Sequence, residues 1–220
     1  MSKHLERDLE SLERDVLAQS SIVEEMVRIA CRGLVDRRRE LPAELDQLEP
    51  EVNRREVRIE EECLKILALH QPVAKDLRRV ATVLKLNADL ERIGDLAVNI
   101  GNRAESVVPH PELDAPPTLE RMGDLAIGMV RDALDAFVDL DAARARAVCE
   151  QDDEVDECNR LVIAELSEVM RSRSELVEAA LHFFTAARHV ERIADHATNI
   201  AEDVIYLVEG EITRHSHEAP

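Results

Sequence analysis

Two carboxylate pairs with the same spacing recur one hundred residues apart. Glu91 and Asp95 stand four residues apart in LERIGDLAVNI, and Glu191 and Asp195 repeat that spacing in VERIADHATNI. Residues four apart share one face of a helix, and like charges placed there repel each other, so each pair predicts a helix surface that needs neutralisation. Carboxylate oxygens are preferred ligands of hard cations, which makes each pair a candidate metal site.

The preceding helices supply a second pair of oxygen donors for each site. Residues equidistant from the turn of a helical hairpin face each other. With turns near residues 71 and 173, this register places Glu49 and Asn53 beside the first pair, and Asp152 and Asp156 beside the second. Oxygen ligation favours Mg²⁺, Ca²⁺, Mn²⁺ or iron over a Cys/His zinc site, although zinc held by carboxylates stays open. We therefore expect divalent or trivalent metal ions.

Four further oxygen donors are possible additions to these sites. Asn99 and Asn199 follow the two pairs by one helical turn, and a third fragment, LERMGD, contains Glu120 and Asp124. If its helix and the next one turn near residue 140, Glu120 is level with the second set and could extend it. The first half has no equivalent, because the offset between the halves maps this fragment onto uncharged positions. His189 and His196 lie on other helix faces and are expected to be packing or surface residues.

Internal ion pairing is the alternative to metal binding. Arg92 and Arg192 each stand three residues before an aspartate of the repeated pairs, within reach on the same helix. With 47 acidic residues in the chain, carboxylates four apart also arise by chance. What favours metal binding is the duplication at equal spacing together with the apposition across a hairpin.

The elements that position these residues are predicted to be long helices. The apolar residues recur with a period close to 3.6. Helices are predicted over 2–38, 43–69, from a start near Pro72 to 108, over 118–138, from about 142 to 171, and from Ser174 as N-cap to 209. The segment PHPELDAPP has four prolines in nine residues and separates the halves. The basic run Arg37 to Arg39 follows the first helix, where cations suit the negative helix end.

The two halves of the chain are predicted to be duplicates. Residues 87–100 and 187–200 are identical at seven of fourteen positions at a constant offset of 100. The sequence therefore predicts an all-α fold of six long helices in two tandem three-helix bundles related by a pseudo-twofold axis. The predicted boundaries are 1–108 for the first bundle, 109–117 for the linker, 118–213 for the second bundle and 214–220 for a flexible tail.

Composition excludes several classes of protein. A formal charge of −19 disfavours nucleic acid and anionic membranes as partners. The four cysteines lie far apart and indicate reduced core thiols, and no segment resembles a signal peptide or a membrane span, so a cytoplasmic location is expected. A ferritin-type di-iron enzyme needs Glu-x-x-His, which is absent from the chain. No nucleotide-binding or nucleophile motif is present either, so the chain is not expected to be an enzyme.

The motifs resemble one known family. L-E-R-I-G-D-x-A-x-N-I, its repeat V-E-R-I-A-D-x-A-x-N-I, and QPVAKDLR together are similar to the PhoU family of phosphate-transport accessory proteins. The resemblance covers nearly the whole chain. It implies a cytoplasmic negative regulator of the phosphate regulon, often dimeric, that couples the ATPase subunit of the phosphate ABC transporter to a sensor histidine kinase. It also implies multinuclear metal clusters on the acidic pairs, with Asn53 the weaker ligand and Ala194 replacing a motif glycine.

Two other functions remain open. A metal-free helical adaptor would use only its surfaces, and a metal-binding or storage bundle would have no signalling role.

Overall fold

The computed structural model describes residues 3–210 and consists of six long helices. The predicted all-α fold of two three-helix bundles is confirmed. The helices are α1 (Lys3–Val35), α2 (Leu41–His70), α3 (Ala74–Val107), α4 (Pro117–Asp139), α5 (Ala142–Ser172) and α6 (Val177–Glu209), the last preceded by a 3-10 turn at Ser174–Leu176. None of the helices within residues 3–210 is long and apolar enough to cross a membrane. The predicted flexible tail, 214–220, lies outside the described residues.

The bundles are joined through equivalent helices. In the first bundle α1, α2 and α3 pack on one another, and in the second α4, α5 and α6 do the same. Between the bundles α3 packs along α6, and α1 contacts α4. Each of these contacts joins a helix to its counterpart in the duplicate, as expected for a pseudo-twofold axis. The core is continuous across both halves and consists mainly of Leu, Val, Ile and Ala.

Two predicted helix starts are wrong. Pro72 was expected in the first turn of α3, but the helix begins at Ala74, whose φ of 49° prevents the helical conformation from extending back to the proline. Ser174 was expected to be an N-cap, but it lies inside the 3-10 turn, and neither that turn nor α6 has a side-chain cap. The turn is closed by a hydrogen bond between residues three apart, in which the backbone N–H of Leu176 donates to the backbone oxygen of Arg173 at 3.0 Å.

Arg37 connects the end of α1 to the linker between the bundles. Its guanidinium donates to the backbone oxygens of Val107 at 3.4 Å and His110 at 2.7 Å, and also to that of Leu113. These carbonyls lie at the end of α3 and in the proline-rich segment, where those of Val107 and His110 also accept from the backbone N–H groups of His110 and Leu113. The basic run therefore neutralises a negative helix end, as predicted, but the end belongs to α3 rather than to α1.

A glycine explains one close approach of α3 to α2. A Cβ built on Gly101 would lie 2.6 Å from Leu45 Cδ1, so a larger residue at this position would displace the Leu45 side chain of α2. At Gly94 the same construction gives 3.6 Å to Val52 Cγ1, an ordinary contact. The glycine of the first motif is therefore not required by packing, which agrees with Ala194 at the equivalent position of the second motif.

Candidate functional site

The first acidic set lies where α2 packs on α3. Val52 contacts Gly94 in the core, and this register brings Glu49 of α2 close enough to Asp95 of α3 for electrostatic repulsion. Glu91 lies one turn before Asp95, and Asn53 is exposed one turn beyond Glu49. The structure thus places this set on the rim of the bundle, as the register predicted.

The second acidic set repeats the arrangement where α5 packs on α6. Asp152 of α5 is repelled by Asp195 of α6, and Asp156 raises the pKa values of both Glu191 and Asp195. Each of the four predicted carboxylates therefore lies within electrostatic range of at least two of the others. The first set has three carboxylates and Asn53, and the second has four carboxylates.

Burial and mutual repulsion disfavour the charged forms of these groups. Desolvation is the largest cause, followed by repulsion from neighbouring carboxylates, and together they raise the pKa of Asp152 from 3.8 to about 6. Asp195 keeps much solvent contact, yet desolvation by nearby protein atoms still raises its pKa. The pKa values raised by the same causes, desolvation first, are those of Glu49, Glu91 and Glu191.

Arginines neutralise the two sets only in part. Arg92 lies 3.4 Å from Glu91 and 3.7 Å from Asp95, but its side chain is 62% exposed, so the pairs contribute little to stability. In the second half Arg192 forms no ion pair with any residue of 3–210, and Glu191 is instead paired with Arg188 at 2.6 Å. Ion pairing therefore accounts for Glu191 and part of the first set, and leaves Asp152 without a cation.

The additional donors are placed differently from one another. Asn99 is exposed and donates its amide to the backbone oxygen of Asp95 at 2.9 Å, and Asn199 is half-buried one turn after Asp195. Glu120 and Asp124 face α1, where they line a cavity of about 290 Å³ with Cys31, Arg32, Val35 and Asp36. None of the residues lining that cavity belongs to the second set, and the extension of that set by LERMGD stays a prediction. Helix α4 turns Arg121, rather than Glu120, toward Glu154 of α5.

LERMGD has a packing role at this place. A Cβ on Gly123 would lie 3.1 Å from that of Cys31, so the glycine allows α1 and α4 to approach closely. Burial, with a smaller contribution from the Asp124 charge, raises the pKa of the Cys31 thiol to about 12. The predicted reduced thiols are present within the described residues, all four cysteines being free and three of them buried.

Three neighbouring groups were missed by the sequence analysis. Asn159 is buried and its amide lies 3.4 Å from Glu191, and Glu56 adds to the repulsion at Glu91. Both lie three residues after a predicted donor of α2 or α5, a spacing that would have identified them. His196 Nδ1 is 2.8 Å from Asp89 Oδ1 of α3, a hydrogen-bond contact between the halves that only the crossing of α3 over α6 creates.

The donor chemistry suits a hard cation, but the side chains do not form a closed coordination shell. Within residues 3–210 no three His, Cys, Asp or Glu side chains converge closely enough to hold a metal ion. Carboxylates with raised pKa values are nevertheless the groups whose charge a bound cation would stabilise. Metal binding would therefore require new side-chain rotamers on a backbone that already places the donors within electrostatic range.

Comparison with known proteins identifies the family. The PhoU domain matches residues 16–104 and 119–204, one copy in each half. The chain is 37% identical over 211 residues to a phosphate-specific transport system accessory protein PhoU homolog of Aquifex aeolicus, covering 96% of both chains. It is 32% identical to the Escherichia coli accessory protein PhoU, covering 98% of this chain and 91% of that one.

Solved structures give the same result. The crystal structure of PhoU from Pseudomonas aeruginosa superimposes with a TM-score of 0.89 at 36% identity, covering 94% of this chain and 99% of that one. PhoU from Streptococcus pneumoniae gives 0.88 at 27% identity, covering 94% and 98%. Fold, duplicated motif and sequence identity agree over nearly the full length, and the chain belongs to the PhoU family.

Proposed function

We propose that this chain is a cytoplasmic accessory protein of phosphate uptake and a negative regulator of the phosphate regulon. In this role it couples the ATPase subunit of the phosphate ABC transporter to a sensor histidine kinase, and it acts as a homodimer. The observation that carries the proposal is the 37% identity to a phosphate-specific transport system accessory protein across 96% of both chains. Such coverage includes the duplicated motif and the hairpins that present it.

Deletion of the gene tests the regulatory proposal. Without a negative regulator, phosphate-starvation genes are expressed even when phosphate is plentiful. A reporter fused to a starvation promoter should therefore be active in the deletion strain in phosphate-rich medium, and a plasmid copy of the gene should silence it. Repression that persists in the deletion strain would exclude a regulatory role and would leave the storage bundle.

The same proposal assigns metal binding to the two acidic sets. A divalent or trivalent cation would offset the repulsion among the carboxylates and stabilise the hairpins that carry them. The supporting observations are the apposed, desolvated carboxylates and the absence of a cation beside Asp152 within the described residues. A bound cation would either rigidify each bundle or complete a charged docking face.

Metal analysis of protein purified without added metal tests this assignment. Asp95→Ala combined with Asp195→Ala should lower both the bound metal and the gain in melting temperature on adding Mn²⁺ or iron. Glu61 and Glu150 are exposed carboxylates of α2 and α5 without ion pairs in the described residues, and their alanine variants serve as the matched control. Equal metal content and equal melting temperatures in the two double variants would show that the acidic sets do not bind metal. Regulation that persists without bound metal would favour the metal-free helical adaptor.

A further inference from the structure

Where α3 crosses α6, the polar groups at one end are paired within the chain. Lys85 Nζ of α3 lies 3.0 Å from Oδ1 of Asp203, an aspartate of α6 that is 1% exposed. The Thr82 hydroxyl donates to the backbone oxygen of Asp203 at 3.5 Å. Farther along the crossing, Asp89 Oδ1 lies 2.8 Å from His196 Nδ1. Polar groups that this end removes from water therefore have partners on the facing helix.

The other end of the same crossing has a different set of residues. The pseudo-twofold axis exchanges α3 with α6, and the offset of 100 maps the ion pair of the first end onto Arg103 of α3 and Thr185 of α6. His182 lies three residues before Thr185 and His189 four residues after it, so these three share the face of α6 that Arg103 meets. The equivalents at the first end are Thr82, Lys85, Asp89 and Asp203. An arginine therefore replaces the buried aspartate of the first end, and no carboxylate occupies any of the four positions.

The electrostatics agree with this register. Burial is the largest cause of a lowered pKa at both His182 and His189, and the Arg103 charge is the next cause at each ring. Arg103 therefore lies within electrostatic range of both histidines, which are seven residues apart, or about 10 Å along α6. The other charged groups that act on the two rings are His110, Glu178 and Arg192. Among these groups of residues 3–210, Glu178 is the one carboxylate, and its effect on His182 is smaller than that of Arg103.

The arginine and one histidine at this end lack acceptors within residues 3–210. Arg103 forms no ion pair there, and its Nε is buried without a hydrogen-bond partner, as is Nδ1 of His189. The Thr185 hydroxyl donates to a backbone oxygen of its own helix at 2.7 Å. By contrast, His70 and His196 each lie within 3.0 Å of an aspartate. A buried polar group without a partner destabilises the fold, so an acceptor supplied from outside the chain would bind favourably here.

We infer that Arg103, His182 and His189 bind a small tetrahedral oxyanion, inorganic phosphate, at the crossing of α3 and α6. A guanidinium donates two parallel hydrogen bonds to such an anion, and a neutral imidazole donates one through either ring nitrogen. Donors that approach from two helices suit a tetrahedral ion better than a planar carboxylate. Polyanions are disfavoured, because a chain of −19 repels nucleic acid and anionic membranes. The choice of phosphate among oxyanions rests on the proposed function, to which it adds a ligand and its binding residues.

Calorimetric titration of the full-length chain with inorganic phosphate tests the inference. A chelator is present throughout, so that phosphate cannot bind through a cation at the acidic sets. Arg103→Gln should weaken binding by about tenfold or more, because it removes both the charge and the fork of donors. Arg103→Lys should bind with an affinity between those of wild type and Arg103→Gln, since lysine keeps the charge without the fork. Arg131→Gln is the matched control, at an exposed arginine of α4 without an ion pair in residues 3–210.

Nuclear magnetic resonance locates the bound ion. The ring resonances of His182 and His189 should shift when phosphate is added to the wild type, and those of His70, which has an aspartate partner, should not. Circular dichroism in chloride checks the fold of each variant. Arg103 has no carboxylate partner within residues 3–210, so its replacement by glutamine should leave the helices intact.

Saturable binding that Arg103→Gln weakens and Arg131→Gln retains supports the site. Binding that both variants retain, or that both weaken equally, shows an adventitious ion only and overturns it. Sulfate that binds as tightly as phosphate overturns the choice of phosphate, and acetate that competes as well as phosphate overturns the tetrahedral ligand. Phenyl phosphate that binds about tenfold more tightly than phosphate overturns the free ion in favour of a phosphoryl group on a larger ligand.

The reporter experiment separates this inference from the function on which it rests. A wild type that binds no phosphate, together with a reporter that is active in the deletion strain, overturns the oxyanion site and leaves the regulatory function standing. Phosphate binding together with repression that persists in the deletion strain overturns the function and leaves the site supported by direct binding.

Discussion

Replacing Asp152 with asparagine should stabilise the metal-free protein at neutral pH. Asparagine has nearly the same shape as aspartate but lacks the negative charge, which neighbouring carboxylates of α5 and α6 repel. A rise of the Asp152 pKa from 3.8 to about 6 corresponds to at most ~3 kcal/mol, at about 1.4 kcal/mol per pKa unit. Because Asp152 is only half-buried, solvent screening reduces this to ~1 to 2 kcal/mol. We expect Asp152→Asn to raise the free energy of unfolding by that amount at pH 8 with a chelator present.

The pH dependence follows from the direction of the pKa shift. The folded protein binds the Asp152 proton more tightly than the unfolded chain, so protonation favours folding. This contribution is complete below about pH 4 and is lost as the pH rises through about 6. The gain from Asp152→Asn should therefore shrink by roughly half at pH 5, because about half of the proton release lies between pH 5 and pH 8.

Urea unfolding at the two pH values measures both effects. Glu61→Gln is the control, since an exposed carboxylate without an ion pair should change stability by less than about 0.5 kcal/mol at either pH. Added Mn²⁺ should make wild type more stable than Asp152→Asn, because wild type binds the ion with a carboxylate that the variant lacks. Two results would refute the claim that the folded protein disfavours the charged form of this carboxylate. One is a loss of stability in Asp152→Asn at pH 8 with chelator, and the other is a stability difference from wild type that does not vary with pH.

Four further substitutions test the packing, each by urea unfolding at neutral pH. Arg37→Ala should lower the free energy of unfolding by ~1 to 3 kcal/mol, because it removes the guanidinium that donates to three carbonyls at the end of α3 and in the linker, although those of Val107 and His110 keep a backbone N–H donor. Arg39→Ala, which has no such contact within residues 3–210, should lower it by less than about 0.5 kcal/mol; equal costs would contradict the bridging role. Gly94→Ala should raise the free energy of unfolding by ~0.5 to 1 kcal/mol, because alanine has the higher helix propensity. Gly101→Ala should lower it by ~1 to 3 kcal/mol, because the new Cβ would overlap the Leu45 side chain of α2. A gain in stability at both positions would refute the close approach. Gln19 is fully buried, and neither of its amide atoms has a hydrogen-bond partner within residues 3–210. Gln19→Leu should therefore raise the free energy of unfolding by ~1 to 2 kcal/mol, and a loss would show that the amide has an essential partner.

Local sequence patterns predicted the hairpins and which residues of their two helices face each other. Apolar periodicity and the proline-rich segment determine where helices run and stop, and a hairpin register needs only the position of its turn. This is why the repulsion between Glu49 and Asp95, and that between Asp152 and Asp195, follow from counting along the chain. Metal ligation itself stays a prediction, because it depends on rotamers and on an ion.

Contacts between distant segments could not be predicted in this way. Arg37 reaches carbonyls more than seventy residues away, and no local pattern indicates that the chain returns there. The pair of Asp89 with His196 depends on where α3 crosses α6. The cavity that Glu120 lines against α1 could not be predicted for the same reason, since α4 has both α1 and α5 beside it and spacing alone does not choose between them.

Because the two halves share one fold, differences between equivalent residues show which residues that fold does not require. A residue that both halves keep at equivalent positions, such as Glu91 and Glu191, can be explained by the backbone they share. A residue that differs cannot, because the other half shows that the same backbone forms without it. Asn53 in place of a carboxylate gives the first set less charge to neutralise, which predicts the weaker ion affinity there.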